Sequence, residues 1–303
     1  MKLFSCTDLT KRYPNGAFTL SDITLGLESG KITGVVGENG NGKTTLLRII
    51  AGELSHDTGS MSYFGENEVA VLTWENIRSR VAYISQRIPK WHGLLKSNLI
   101  FEASIRGING DEADFMVDEL LEKLGLQEYA DLKWKEISTG YRLRFQLAKM
   151  LIGSPELLVL DEPIANLDIN AQEKFLADLR TIVTEPGRNV SVILSSQQLH
   201  EIENVSDSIV FLKKGEMIYS GEVDKIGESR TFNEFEIQTD LDISILKELI
   251  PEGGALNVVG KTVHVKVRLD LSAEAFLDII LKKGGKVMYF RNISSSTRRL
   301  FND

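Results

Sequence analysis

From residue 37 to residue 45 the chain reads Gly37-Glu38-Asn39-Gly40-Asn41-Gly42-Lys43-Thr44-Thr45, with four residues between two glycines and then Lys and Thr. No other feature constrains the fold as much, because this is the pattern of a phosphate-binding turn and it works only between a buried strand and the start of a helix. Lys31 to Val36 reads as that strand, and Thr44 to Ile50 carries its apolar residues at helical spacing. Gly37, Gly40 and Gly42 let the backbone curl until its N–H groups surround phosphate oxygens, and the dipole of the helix adds positive potential. Lys43 is then placed for the β- and γ-phosphates of a nucleoside triphosphate, and Thr44 for Mg²⁺ through its hydroxyl. A dinucleotide-binding turn needs G-x-G-x-x-G, whereas here the glycines fall at 37, 40 and 42 and a Lys-Thr pair follows.

A chain of 303 residues predicts one large core and a smaller companion. Its 43 acidic and 35 basic residues give a formal charge of -8, which repels nucleic acid and anionic lipid at long range. Cys6 is the only cysteine, so no intramolecular disulfide forms and a reducing compartment is expected. The stretch from Met1 to Thr10 does not read as a secretory signal, and no apolar run approaches bilayer length. Any membrane role therefore falls to a partner.

Residues 3–9 and 17–27 alternate apolar and polar side chains around the turn Tyr13-Pro-Asn-Gly16, which predicts a short antiparallel layer. Ser60 to Phe64 and Arg80 to Ser85 are two more strand candidates. The stretch 110–152 changes period, with Phe115, Val117, Leu120, Leu121 and Leu124, then Leu143, Leu147 and Leu151, at helical spacing. Strand character returns at 157–160, 190–194 and 208–212, as in a parallel sheet wrapped by helices. Lys213 to Ser229 reads as a hairpin and an exit from the first domain. Beyond it, strands at 234–239, 255–259, 262–268 and 286–291 alternate with helices at 243–250 and 272–283. That order, βαββαβ, predicts a ferredoxin-like arrangement.

A second segment carries chemistry. The apolar run Leu157 to Leu160 ends in Asp161, Glu162 and Pro163, so a buried strand delivers two carboxylates to the sheet edge where ligands sit in such folds. Asp161 is the candidate for Mg²⁺, and Glu162 for polarising the water that attacks the γ-phosphate.

With both segments in place, the chain resembles the ATP-binding cassette (ABC) family of ATPases over about residues 1–225. The resemblance implies a P-loop NTPase (RecA-like) α/β core with an N-terminal antiparallel β layer and a helical subdomain at about 91–152. An accessory α+β domain occupies about 230–303. It also implies ATP and Mg²⁺ as ligands, with residues 37 to 45 around the phosphates and Thr44, Gln86 and Asp161 at the metal. Tyr13 stands where the family stacks an aromatic on adenine, and it reads equally as an exposed turn tyrosine. Gln86 matches the glutamine at the metal and the attacking water, and Asp168 matches the acidic member of the loop across a dimer interface. Trp91 to Leu95 lies where the family docks its membrane partner, or packs on its own helical insert.

Two segments depart from the pattern. The family signature Leu-Ser-Gly-Gly-Gln is Ile137-Ser138-Thr139-Gly140-Tyr141 here, so Ser138 and Gly140 are retained for the trans contact with a second cassette's ATP. Thr139 adds a β-branched side chain and Tyr141 replaces the usual Gln. Alignment on Ser195-Ser196 puts Gln197 at the place of a γ-phosphate histidine; it donates through its amide and cannot become a cation. His200, three residues later, reads as a surface residue. Both departures imply slow hydrolysis.

The resemblance thus implies an ATPase subunit of a transporter, at the cytoplasmic face of the membrane. Its partners are a second cassette, identical or not, and a separate permease chain, without nucleic acid. Export is the expected direction, from the C-terminal domain and the tail Ser294 to Phe301. An ATP-binding switch with little hydrolysis and a non-transport cassette protein are the alternatives.

Overall fold

Period-two alternation is clear along Thr19–Glu28 of the first layer, whereas Lys2–Arg12 is interrupted by shifts of register. In the computed structural model, which describes residues 2–16, 18–64, 73–187, 189–225, 232–248, 250 and 254–293, β1 (Lys2–Arg12) pairs antiparallel with β2 (Thr19–Glu28). A single 3₁₀ turn, Pro14–Gly16, connects them. On the other side of β1 lies β4 (Thr58–Tyr63), which gives the order β2-β1-β4. The inward residues, Phe4, Leu9, Leu20, Ile23, Leu25 and Tyr63 among them, share one core with the helix that follows the glycine-rich turn.

β3 (Ile32–Val36) is buried along all five residues, because it runs through the middle of a sheet covered on both faces. With β5 (Val81–Ile84), β6 (Leu157–Leu160), β7 (Ser191–Ser196), β8 (Ser208–Lys213) and β9 (Glu216–Glu222) it forms the order β5-β6-β7-β3-β8-β9. The first five are parallel and β9 closes an antiparallel hairpin. The hairpin turns at Lys214 and Gly215, both at positive φ, and residues 226–229 of the expected exit lie outside the described residues. Helix α1 (Lys43–Ile50) starts inside the glycine-rich motif, with Leu46, Leu47, Ile49 and Ile50 buried. α2 (Trp74–Arg80) precedes β5, and Thr73 caps it by accepting the Asn76 N–H.

Between β5 and β6 the helical insert comprises α3 (Leu95–Ile105), α4 (Asp111–Lys123) and α5 (Thr139–Leu151). It begins well before residue 110, where the apolar spacing first becomes legible. On α3 the buried Leu95, Leu99 and Ala103 are interleaved with exposed Phe101 and Ile105, so apolar residues surround the helix and define no stripe. Phe115, one of the apolar residues at helical spacing, does not share the buried face of α4. It is 65% exposed, because Ala113, Val117, Leu120 and Leu121 hold the buried face of α4 and a residue two places from Val117 points away from it. α6 (Ile169–Thr184) then connects β6 to β7.

Contacts divide the chain into two units, Met1–Val223 and Asp224–Asp303. The second unit orders its strands β11 (Ala255–Val259), β12 (Thr262–Arg268), β10 (Phe232–Thr239) and β13 (Val287–Asn292), all antiparallel. With α7 (Ile243–Glu248) and α8 (Ala273–Lys282) this is the ferredoxin-like topology. Phe235 stacks on Phe276 with centroids 5.1 Å apart over a core that includes Ile237, Val265, Val267 and Ile280. Residues 294–301 of the tail lie outside the described residues.

Candidate nucleotide site

The glycine-rich turn leaves β3 at the carboxyl edge of the parallel sheet. A Cβ on Gly37 would lie 2.6 Å from the carbonyl oxygen of Leu212, so close approach to β8 requires glycine there. Gly42 has φ +100°, and a Cβ on it would press on Phe18 at 2.8 Å. Asn41 is buried and its Oδ1 accepts the backbone N–H of Lys214, 2.9 Å away, which fixes the turn to the β8–β9 hairpin. Glu38, Asn39, Gly40 and Thr44 form the exposed rim, whereas Lys43 and Thr45 are buried.

Lys43 Nζ donates to the carbonyls of Gly37 at 2.6 Å and Glu38 at 3.2 Å, and it pairs with Glu162 Oε1 at 3.0 Å. With side chains only 4% and 7% exposed, each charge depends on the other. Removing either strands a desolvated ion. The other oxygen of Glu162 accepts from Gln86 Nε2 at 3.1 Å and from Gln197 Nε2 at 2.9 Å. Asp161 Oδ2 accepts from the Thr44 hydroxyl at 2.8 Å and from Tyr83 at 3.4 Å. Burial and the Asp161 charge push the Tyr83 phenol well above its usual range, which keeps it a donor.

The structure therefore brings Lys43, Thr44, Gln86, Asp161, Glu162 and Gln197 into one bonded cluster, delivered by the ends of β3, β5, β6 and β7. Sequence reasoning missed two members. Tyr83 gave no signal inside its strand, and Ser195, named only as an alignment anchor, has its hydroxyl between the two acids. Tyr13 is half-buried rather than exposed; its hydroxyl meets Thr45 Oγ1 at 3.3 Å and its ring is tilted on Phe18.

Ser138 and Gly140 sit on a different edge. Ser138 caps α5, its Oγ accepting the Tyr141 N–H at 3.4 Å, and a Cβ on buried Gly140 would lie 3.0 Å from Ala171 on α6. Tyr141 packs on Tyr129 with centroids 4.0 Å apart and accepts its hydroxyl at 2.8 Å. Asp168 caps α6 by accepting the Ala171 N–H. His200 is exposed on the short turn Leu199–Glu201. Trp91 stacks on Trp134 at 5.1 Å and donates to Gln146, so its indole packs on the helical insert.

The donors suit the ligands. A hydroxyl and a carboxylate 2.8 Å apart are hard oxygen donors, and Mg²⁺ commonly takes one or two carboxylates together with substrate phosphates. Among the described residues no cluster of three His, Cys, Asp or Glu is present.

This architecture has known relatives. The family profile described as ABC transporter matches residues 20–165. The chain is 30% identical over 249 residues to the bacitracin transport ATP-binding protein BcrA of Bacillus licheniformis, covering 81% of this chain and 78% of that protein. It is 31% identical over 225 residues to the tungstate uptake system ATP-binding protein TupC of Peptoclostridium acidaminophilum, covering 72% and 96%. Among solved structures, cbiO1 of Clostridium perfringens, part of the ABC transporter complex cbiONQ, matches with a TM-score of 0.67 at 21% identity, covering 76% of this chain and 92% of that one. The fold is thus that of an ATP-binding cassette with a P-loop NTPase core. The chain belongs to the ABC transporter family as an ATP-binding subunit.

Proposed function

We propose that this chain hydrolyses ATP in a pair of cassettes and drives a separate membrane permease. The observation that carries the reading is the bonded cluster of Lys43, Thr44, Asp161, Glu162, Gln86 and Gln197 at one sheet edge. In this reading the turn from Gly37 to Gly42 and the start of α1 cradle the phosphates, and Lys43 exchanges Glu162 for phosphoryl oxygens. Thr44, Asp161 and Gln86 would hold Mg²⁺, which would neutralise phosphate charge when bound. Glu162 accepts a proton from the attacking water, and Gln86 and Gln197 aim its carboxylate. Tyr13 offers a flat face to the base.

Ser138 and Gly140 are assigned to the ATP of the opposite cassette on the resemblance of residues 137–141 to the family signature, with Ser138 capping the start of α5. A two-fold pair then completes two sites at once. No helix among the described residues is long and apolar enough to cross a membrane. A separate permease chain and a place at the inner face of the membrane are assigned on the kinship with ATP-binding subunits of transporters. We assign export as the direction, on the resemblance of the small C-terminal unit to exporter cassettes; vesicles carrying the permease and loaded with labelled cargo test it.

Replacing Glu162 by Gln tests the core of the proposal. Isothermal titration is expected to show ATP affinity within a few-fold of the parent, while turnover falls at least about 100-fold and gel filtration with ATP shows a dimer. Unchanged hydrolysis removes Glu162 from the mechanism. A second reading, a switch that binds ATP and hardly turns it over, is favoured by Gln197 and Tyr141 standing where the family has His and Gln. Turnover measured with and without the permease separates the two.

A further inference from the structure

We propose that Ser195 is a positioning residue that sets both acids of the site with one hydroxyl; the inference rests on the roles assigned above to Asp161 and Glu162. β6 and β7 run parallel with Leu160 opposite Leu194 as the last registered pair. Past that pair β6 ends, and Asp161 sends its N–H the other way, to the carbonyl of Ile84 at the end of β5. Glu162 then turns the chain at φ +46°, a left-handed conformation that side chains other than glycine seldom adopt. Such a residue persists only where its surroundings over-determine it.

Ser195 supplies part of that determination. Its Oγ accepts the Glu162 N–H at 2.9 Å and donates to Asp161 Oδ1 at 3.0 Å. A hydroxyl has one hydrogen and two lone pairs, so it makes both bonds at once. Ser195 is 0% exposed and Asp161 nearly so, and water does not replace a partner lost at such a place. With Oδ1 held by Ser195, Oδ2 is the oxygen turned to Thr44, another of the proposed metal donors. The hydroxyl's other bond, accepted from the Glu162 N–H, anchors the peptide from which the Glu162 carboxylate extends to Lys43, Gln86 and Gln197. The neighbouring Ser196 is engaged elsewhere, its hydroxyl donating to the carboxylate of Glu201 and accepting the Gln198 N–H.

The test uses the full chain with Mn²⁺ and ATP as probes. For Ser195→Ala we expect the Mn²⁺ concentration that half-saturates ATP-bound protein, read by electron paramagnetic resonance, to rise about 10-fold. Turnover is expected to fall about 10- to 100-fold, with ATP affinity in the absence of metal within about 2-fold of the parent. Ser195→Thr, which keeps the hydroxyl, is expected to bind Mn²⁺ more tightly than Ser195→Ala. Urea unfolding checks that the variants fold, and Ser195→Cys carries the comparison if Ser195→Ala does not. Parental Mn²⁺ affinity and turnover in Ser195→Ala overturn the inference, as does tighter Mn²⁺ binding by Ala than by Thr. Asp161→Asn separates the two levels: if it weakens Mn²⁺ binding and Ser195→Ala does not, only the role of Ser195 falls. If Asp161→Asn leaves Mn²⁺ binding intact, the metal assignment falls and takes this inference with it.

Discussion

The phosphate turn and the start of α5 are both helix beginnings, yet they are held by different means. At the turn, Lys43, Thr44 and Asn41 are bonded to groups just beyond β6 and β8, so the geometry is set by strand ends that a parallel ladder keeps in register. At α5, Ser138 caps its own helix, Tyr141 leans on Tyr129, and Arg144 pairs with Asp178 of α6 at 2.6 Å while also bonding the Leu124 carbonyl. One edge is tied to the sheet and the other to neighbouring helices. The proposed cis chemistry therefore depends on strand register, whereas the proposed trans contact depends on how α5 packs against α6.

The strongest challenge to this contrast is Lys43→Ala, which is expected to weaken ATP binding at least about 100-fold by titration calorimetry, since it removes the one buried cation of the turn. Micromolar affinity in that variant breaks the assignment of the turn. Next is Arg144→Met, which leaves the buried Asp178 carboxylate with only the exposed Lys174, 3.8 Å away, and is expected to cost about 3–5 kcal/mol in urea unfolding. Burial already holds the Asp178 carboxyl above its ordinary range, even with Arg144 beside it. Without Arg144 it goes higher still, so the folded form binds the proton more tightly than the unfolded one. The variant's stability is then expected to decline as pH climbs past the ordinary carboxyl range, making it less destabilised in acid than at neutral pH. A pH-independent loss sinks that account. The smallest effect is expected for Tyr129→Phe, which removes the single hydrogen bond to Tyr141, lowers stability in urea unfolding less than Arg144→Met does, and leaves ATP affinity unchanged. A large loss of ATP affinity there would show that the two edges are not separately held.

How much of this was legible depended on whether the signal was contiguous. Residues 37 to 45 and the run from Leu157 to Glu162 carry their pattern in a few adjacent positions, flanked by buried strands, and so the core and its carboxyl edge could be read directly. Gln86 and Gln197 gave nothing alone and were reached only through the family resemblance. Ser195 sits in an apolar strand where nothing local marks a serine, and its meaning comes from Asp161 and Glu162, 34 and 33 residues away. The pair Tyr129 and Tyr141 is joined across a loop, and β4 reaches β1 by long-range pairing, so neither leaves a periodic trace. Phe115 fitted a helical spacing that describes α4 correctly but counted one residue from the wrong face.

The bond from Lys214 to Asn41 spans 173 residues of chain. The phosphate turn is thus not a self-contained peptide, whatever its compact motif suggests. A ribosome has made the glycines, the lysine and even both acids well before it reaches the amide that braces Asn41. Any excised fragment meant to retain the turn's shape has to run at least as far as Gly215, the second residue of that hairpin's bend.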